Sequence, residues 1–276
     1  MPTPWLGGAA DTGDAPTRLF CFTHAGGGAA FFHPWRQALL PEIDVCPIIL
    51  PGREARLRER PYTRIEHVLD PLLDALAPYL DRPFAVFGHS MGSVVAYETA
   101  RRLEAAGGPR PLCLFASGRR APTLPARREP LHRLQGDAFL EAVSTLNGVP
   151  EQVLRQPEVF TLFLPALRAD FELNEVYTPL PGPRLRCPVS ALTGDADPEV
   201  DLDEMAAWRN VTAGAFTLRV FRGDHFYLKG APADLLAAVR ADLRRLTVLE
   251  PTVLEPTVLE STVHESSVNP PVSAQN

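Results

Sequence analysis

The sequence has no long apolar run, no closely paired cysteines and no excess of basic charge. Its 276 residues carry 27 Lys and Arg against 33 Asp and Glu, a formal net charge of −6. Without a global basic field, nucleic acid is not an expected partner. No stretch approaches the roughly 20 apolar residues of a membrane-spanning helix, so no membrane is expected either. The opening Met1-Pro2-Thr3-Pro4-Trp5 holds neither the basic cluster nor the apolar stretch of a secretory signal. Cys21, Cys46, Cys113 and Cys187 lie far apart, each in or beside an apolar run. They read as small buried hydrophobes rather than disulfides or metal ligands. These absences set the expectation of a cytoplasmic location and of no metal centre.

What is present is a globular composition, 45% hydrophobic and 22% charged. Strand-like and helix-like stretches alternate, which favours one α/β domain. The chain is organised around Gly88-His89-Ser90-Met91-Gly92. An apolar run, Pro83 to Phe87, precedes it and a helical pattern, Ser93 to Ala106, follows. Strand, G-x-S-x-G, helix is the context of a nucleophile elbow. So sharp a turn brings the residues two before and two after the serine nearly into contact, and Gly88 and Gly92 have no side chains to collide. The following helix aims its N-terminal N–H groups at the place where negative charge develops. Ser90 is therefore the candidate nucleophile, with a plain glycine-rich turn as the competing reading.

Residues 1–16, rich in Pro, Gly, Ala and Thr, read as a flexible lead-in. Leu19 to Thr23 is a strand that runs into His24-Ala25-Gly26-Gly27-Gly28. No Gly-Lys-Ser/Thr follows, so this is not a P-loop. It reads as an oxyanion loop, with backbone N–H donors from Ala25 and from Met91 and with His24 shaping the loop. Ile43 to Leu50 is a strand, and Pro47 suggests an edge. Ile65 to Leu80 repeats its apolar residues at helical spacing. Leu112 to Ala116, Cys187 to Thr193 and Phe216 to Phe221 are further strands. Between residues 121 and 183 the pattern changes to short helices, one marked by Phe139 and Val143 and one by Phe163, Leu167 and Phe171, which Pro165 should kink or break. This segment reads as a lid with an apolar inner face; an extra core helix pair is the alternative. Ala233 to Leu246 closes the domain as an amphipathic helix.

From 247 to 276 the unit Thr-Val-Leu-Glu-Pro repeats and decays. Regular prolines and little apolar surface predict a disordered tail, with a docking peptide as its functional alternative.

A serine hydroxyl needs a base to take its proton, and histidine suits that role at neutral pH. An acid must then orient the imidazole. The order serine, acid, histidine is met by Ser90, Asp197 and His225, each just after a strand. Asp195 shares the acidic loop, where it can cap or bridge the turn; Asp197 is favoured because it lies beyond the tight part. Arginines cluster at Arg53, Arg56, Arg58 and Arg60, and again at Arg119, Arg120, Arg127 and Arg128.

The ordered set His24-Ala25-Gly26-Gly27-Gly28, Pro51-Gly52-Arg53, Gly88-His89-Ser90-Met91-Gly92, Gly194-Asp195-Ala196-Asp197-Pro198 and Gly223-Asp224-His225-Phe226-Tyr227-Leu228 resembles the type II thioesterases of polyketide and nonribosomal peptide assembly lines. The resemblance covers about residues 17–245. It implies an α/β-hydrolase fold: a mostly parallel sheet flanked by helices, with a helical lid at about 121–183 inside a domain of residues 17–246. It further implies acyl groups held as thioesters on the phosphopantetheine arm of an acyl or peptidyl carrier protein, and no cofactor of the enzyme's own. Since such carriers are usually acidic, Arg119, Arg120, Arg127 and Arg128 become candidate docking residues. A monomer is expected. A broad carboxylesterase or lipase of the same fold, or a binding module that keeps the shape without the chemistry, are the alternatives.

Overall fold

Six apolar runs form six strands, and all six lie parallel in one sheet: β1 (Thr17–Phe22), β2 (Ile43–Pro47), β3 (Phe84–His89), β4 (Leu114–Ser117), β5 (Val189–Gly194) and β6 (Phe216–Phe221). The computed structural model describes residues 3–7, 15–144, 146 and 157–249. The strand order is β2-β1-β3-β4-β5-β6, so β3, which ends at the elbow, lies near the middle. β2 is an edge strand and ends at Pro47, where a missing N–H does no harm to a neighbour.

The helices are α1 (His33–Leu39), α2 (Ile65–Leu76), α3 (Met91–Ala105), α4 (Gly136–Ser144), α5 (Pro157–Val176), α6 (Leu202–Ala206) and α7 (Ala233–Leu249). Successive residues of a strand face opposite sides, and here both sides are covered. Phe20, Val86 and Leu114 pack with Leu69 and Leu72 of α2 and Val94 and Val95 of α3. Leu19, Ala85, Phe87 and Phe115 pack with Trp35 of α1 and Leu235 and Val239 of α7. All four cysteines are free and buried in this core, and burial pushes their thiol pKa values up. No helix among the described residues is long and apolar enough to cross a membrane.

Three expectations change. The lead-in is partly docked: Trp5 and Leu6 are buried, Leu6 bridges Ile48, and Ile49 N–H donates to Trp5 O at 2.8 Å. The Arg56 guanidinium lies 4.0 Å from the centre of the Trp5 ring. A composition of small residues hid one large apolar anchor. Second, α5 runs unbroken through Pro165. The proline has no N–H for the preceding turn, but burial of Ala166, Leu167, Ala169 and Leu173 directly after it holds the helix together. Third, α7 continues to Leu249, three residues into the repeat. The first repeat proline is Pro251, so nothing earlier forbids helix. The rest of the expected disordered tail, 250–276, lies outside the described residues.

Candidate active site

The peptide at Ser90 is bent in a way that side-chain-bearing residues seldom accept, with φ 54° and ψ −124°. A Cβ on Gly88 would overlap the carbonyl of Gly92, and a Cβ on Gly92 would overlap the carbonyl of Phe22. Both glycines are thus demanded by backbone proximity. Ser90 N–H donates to Ser117 O at 2.8 Å. Ser93 Oγ lies 2.8 Å from Gly88 O and 3.0 Å from Ser117 O, tying the helix to the strand ends. Since α3 begins at Met91, its amide-rich end abuts Ser90.

The loops after β5 and β6 supply the other two groups. His225 Nδ1–H donates to both carboxylate oxygens of Asp197, at 3.0 and 2.9 Å. The Asp197 side chain is fully buried and its Oδ1 also accepts Glu199 N–H at 2.9 Å. Asp195 does something else: its Oδ1 accepts Gly223 N–H at 2.8 Å and staples the two loops together. The structure thus brings Asp197, and not Asp195, to the imidazole.

Ser90 and His225 line a cavity of about 320 Å³ whose outer wall carries Arg119, Arg120, Arg127 and Arg128. They also line a smaller chamber, about 60 Å³, walled by Val143, Leu146, Leu167 and Phe171. Apolar residues of α4 and α5 therefore share this chamber with the serine. Ala25 lines the small chamber beside it, and Met91 is buried at the head of α3.

His24 stands between Phe31 and Phe226, with ring centres 5.1 and 5.0 Å away. Burial pulls its pKa down to about 3, assisted by positive charge at His225, Arg53 and Lys229. With so low an affinity for a proton it is poorly suited to serve as the general base. His89, also buried, has its pKa pulled far down by burial and by the neighbouring His225 and His24. Its Nδ1 is 2.9 Å from Ser117 Oγ, which is 2.7 Å from Tyr227 OH. That buried Ser117–His89 contact is a prop behind His225.

The four arginines are less free than the sequence suggests. Arg120 and Arg127 both reach Glu204 at 3.3 Å, Arg127 reaches Asp201 at 3.4 Å, and Arg128 reaches Glu199 at 2.9 Å. Burial pulls the Arg119 pKa down to about 10. Their acidic partners lie just beyond Asp197, in a segment sequence reasoning passed over.

It also passed over Asp170. Arg53 donates to Asp170 through Nη1 at 2.9 Å and Nη2 at 2.7 Å, and Nη1 also reaches Gly27 O at 2.9 Å. Asp170 Oδ2 accepts Gly26 N–H at 2.7 Å. A signal was available: a carboxylate between Ala169 and Phe171, inside the apolar stripe of a helix.

Residues 17–243 match the thioesterase-domain family. The chain is 40% identical over 250 residues to the protein named linear gramicidin dehydrogenase LgrE of Brevibacillus parabrevis, covering 90% of this chain and 95% of that one. It is 42% identical over 216 residues to the thioesterase PikA5 of Streptomyces venezuelae, covering 78% and 76%. Among solved structures, the type II thioesterase BorB of the borrelidin biosynthetic cluster superposes with a TM-score of 0.76 at 41% identity, covering 83% of this chain and 93% of that one.

Proposed function

The chain belongs to the thioesterase family and is a type II thioesterase of the polyketide and nonribosomal peptide kind; from that premise we propose that it hydrolyses acyl thioesters on the phosphopantetheine arm of carrier proteins, clearing misloaded or stalled acyl groups. The observation that carries the site assignment is the Asp197–His225 hydrogen bond, with the imidazole lining the same cavity as Ser90.

In this reading Ser90 Oγ attacks the thioester carbonyl while His225 Nε2 takes its proton. The Asp197 carboxylate fixes the tautomer and stabilises the imidazolium. The oxyanion is received by the N–H groups of Ala25 and Met91. The C–S bond breaks, the proton returns to the departing thiolate, and an acyl-Ser90 ester remains. Water gives a proton to His225 as it attacks the ester; the bond from the acyl carbon to Ser90 Oγ then breaks, His225 returns the proton to Ser90 Oγ, and the carboxylic acid leaves. A thiolate leaves readily, so the first half-reaction asks less of the imidazolium than amide cleavage would.

The reading takes residues 17–246 as the catalytic domain, 121–183 as its lid, and the enzyme as a cytoplasmic monomer. The name of the gramicidin relative speaks of redox chemistry. The loop after β1 gives that no support, because Gly26-Gly27-Gly28 is followed by Ala29-Ala30-Phe31 and not by the G-x-x-G of a dinucleotide fingerprint. The test is paired hydrolysis of acyl-pantetheine thioesters and matched oxygen esters. Thioester preference supports the proposal. Equal or reversed preference makes the protein a carboxylesterase, and failure of a fluorophosphonate to label Ser90 makes it a binding module.

A further inference from the structure

We infer that Arg53 and Asp170 are positioning residues for the oxyanion loop, and that the lid helix α5 thereby holds the loop in its working shape. The inference rests on the proposal that Ala25 N–H receives the oxyanion. Pro51-Gly52-Arg53 stands out in the sequence, yet none of the chemical roles above uses it.

Arg53 and Asp170 are nearly fully buried, and they meet in a two-point grip at 2.7 and 2.9 Å. A buried ion pair is a costly way to gain stability, since desolvation offsets much of the attraction. Here the pair's two further hydrogen bonds go to one place, while Arg53 Nε is buried without a partner. Asp170 Oδ2 accepts the N–H of Gly26, and Arg53 Nη1 donates to the carbonyl of Gly27. Both groups lie on the glycine turn directly after Ala25. Gly26 adopts φ 76°, and fixing its N–H fixes the plane of the Ala25–Gly26 peptide. Two dihedrals back along the chain is the N–H of Ala25.

Asp170 belongs to α5, and so do the residues that press on the same turn. A Cβ on Gly26 would come within 2.8 Å of Leu167 Cδ1, and one on Gly52 within 3.1 Å of Ala166 Cβ. Leu167 and Phe171, on either side of Asp170 along the helix, form part of the wall of the small chamber. One stretch of helix therefore supports the turn next to the oxyanion donor and shapes the space beside the serine. The C-terminal half of the lid is part of the catalytic frame.

The experiment compares wild type with Asp170→Asn and Arg53→Lys. Asp170→Asn keeps an acceptor for Gly26 but loses the charge. Arg53→Lys keeps the charge but loses the two-point grip. Kinetics are measured on S-propionyl-N-acetylcysteamine, together with inhibition by butylboronic acid, whose tetrahedral serine adduct places an oxygen in the oxyanion site. A non-hydrolysable thioether analogue reports ground-state binding. In variants with native near-UV circular dichroism, kcat should fall ten- to a hundredfold with KM within twofold. Butylboronic acid should weaken in step while the thioether binds as before. A buried pair serving only the fold would lower the melting temperature without that split. Folded variants that keep kcat and boronate affinity, or that lose them together with thioether affinity, overturn the inference. A wild type that turns over no thioester removes the proposed function and this inference with it. An active wild type with unaffected variants removes the inference alone.

Discussion

His89 lies against His225, ring centres 4.8 Å apart and planes at 40°. The two rings play opposite electrostatic parts. His89 and, beyond it, His24 are buried and held neutral, so neither ring adds positive charge next to the proton that His225 carries in the proposed mechanism. The two neutral rings shape the wall beside His225.

This arrangement makes stability depend on pH with a defined sign. An unfolded histidine titrates near 6.5, whereas His24 in the fold titrates at about 3. Above pH 6.5 neither state holds the proton and the fold is unpenalised. Below it the unfolded chain takes up a proton that the folded chain refuses, so stability falls as pH drops from 6.5 towards 3. Each such histidine contributes a slope of up to about 1.4 kcal/mol per pH unit. Urea unfolding between pH 7.5 and 5 should show this loss, and His24→Gln should reduce the slope by one proton's worth. An unchanged slope in the variant would show that His24 is protonated in the native state.

Ser90 is strained by its position, and the strain is separable from its chemistry. Ser90→Ala should abolish turnover and leave the melting temperature nearly unchanged, because alanine suffers the same backbone bend. Ser90→Gly should abolish turnover as well but raise stability by about 1 kcal/mol, since glycine accepts positive φ without penalty. Calorimetry on the two variants checks the ordering, and equal stabilities would mean that the elbow is not strained.

The two aspartates of the β5 loop should separate cleanly. Asp197→Asn removes the charge facing His225 and lets the wrong tautomer form; kcat should fall by about four orders of magnitude, the scale seen for the acid of a serine protease triad. Asp195→Asn keeps an oxygen that can accept Gly223 N–H, so kcat should change by only a few fold. A steady-state assay on a small thioester decides between them. A larger loss at Asp195 would refute the assignment within this loop.

Legibility in the sequence followed the range of the forces involved. The elbow was readable because its constraint is local: two glycines flank a serine within five residues, and a strand and a helix bracket them. That Asp197 and His225 would meet was readable because they follow β5 and β6, which are neighbours in the sheet. The Arg53–Asp170 pair was not, since it joins residues 117 positions apart and neither residue type marks its partner. Trp5 was missed because composition averages over a segment, and docking here depends on one ring. The arginines were noticed as a charge run, but their partners Glu199, Asp201 and Glu204 come from the loop after β5 and the first turn of α6, and only folding brings the two sets together.

That pairing sharpens the carrier-docking proposal into a test. Arg127 and Arg128 are about half exposed, and exposed ion pairs contribute only about 0–1 kcal/mol, so an acidic carrier surface can compete with Glu199 and Asp201 for them. Arg120 is different: it and Glu204 are both mostly buried, and reversing its charge would set two carboxylates face to face and damage the fold. The informative variant is therefore Arg127→Gln with Arg128→Gln, which removes both charges without setting a carboxylate against Glu204 or Glu199. KM for an acyl group on a carrier protein should rise about tenfold or more, while KM for a small acyl thioester stays within twofold. Added salt should depress wild-type kcat/KM on the carrier substrate and affect the variant less, because screening acts on the attraction the variant has lost. All four arginines line the cavity that holds Ser90, so KM has to be measured on both substrates for the difference between them to identify docking. If both substrates suffer equally, these arginines contact the acyl-pantetheine portion and the carrier binds elsewhere.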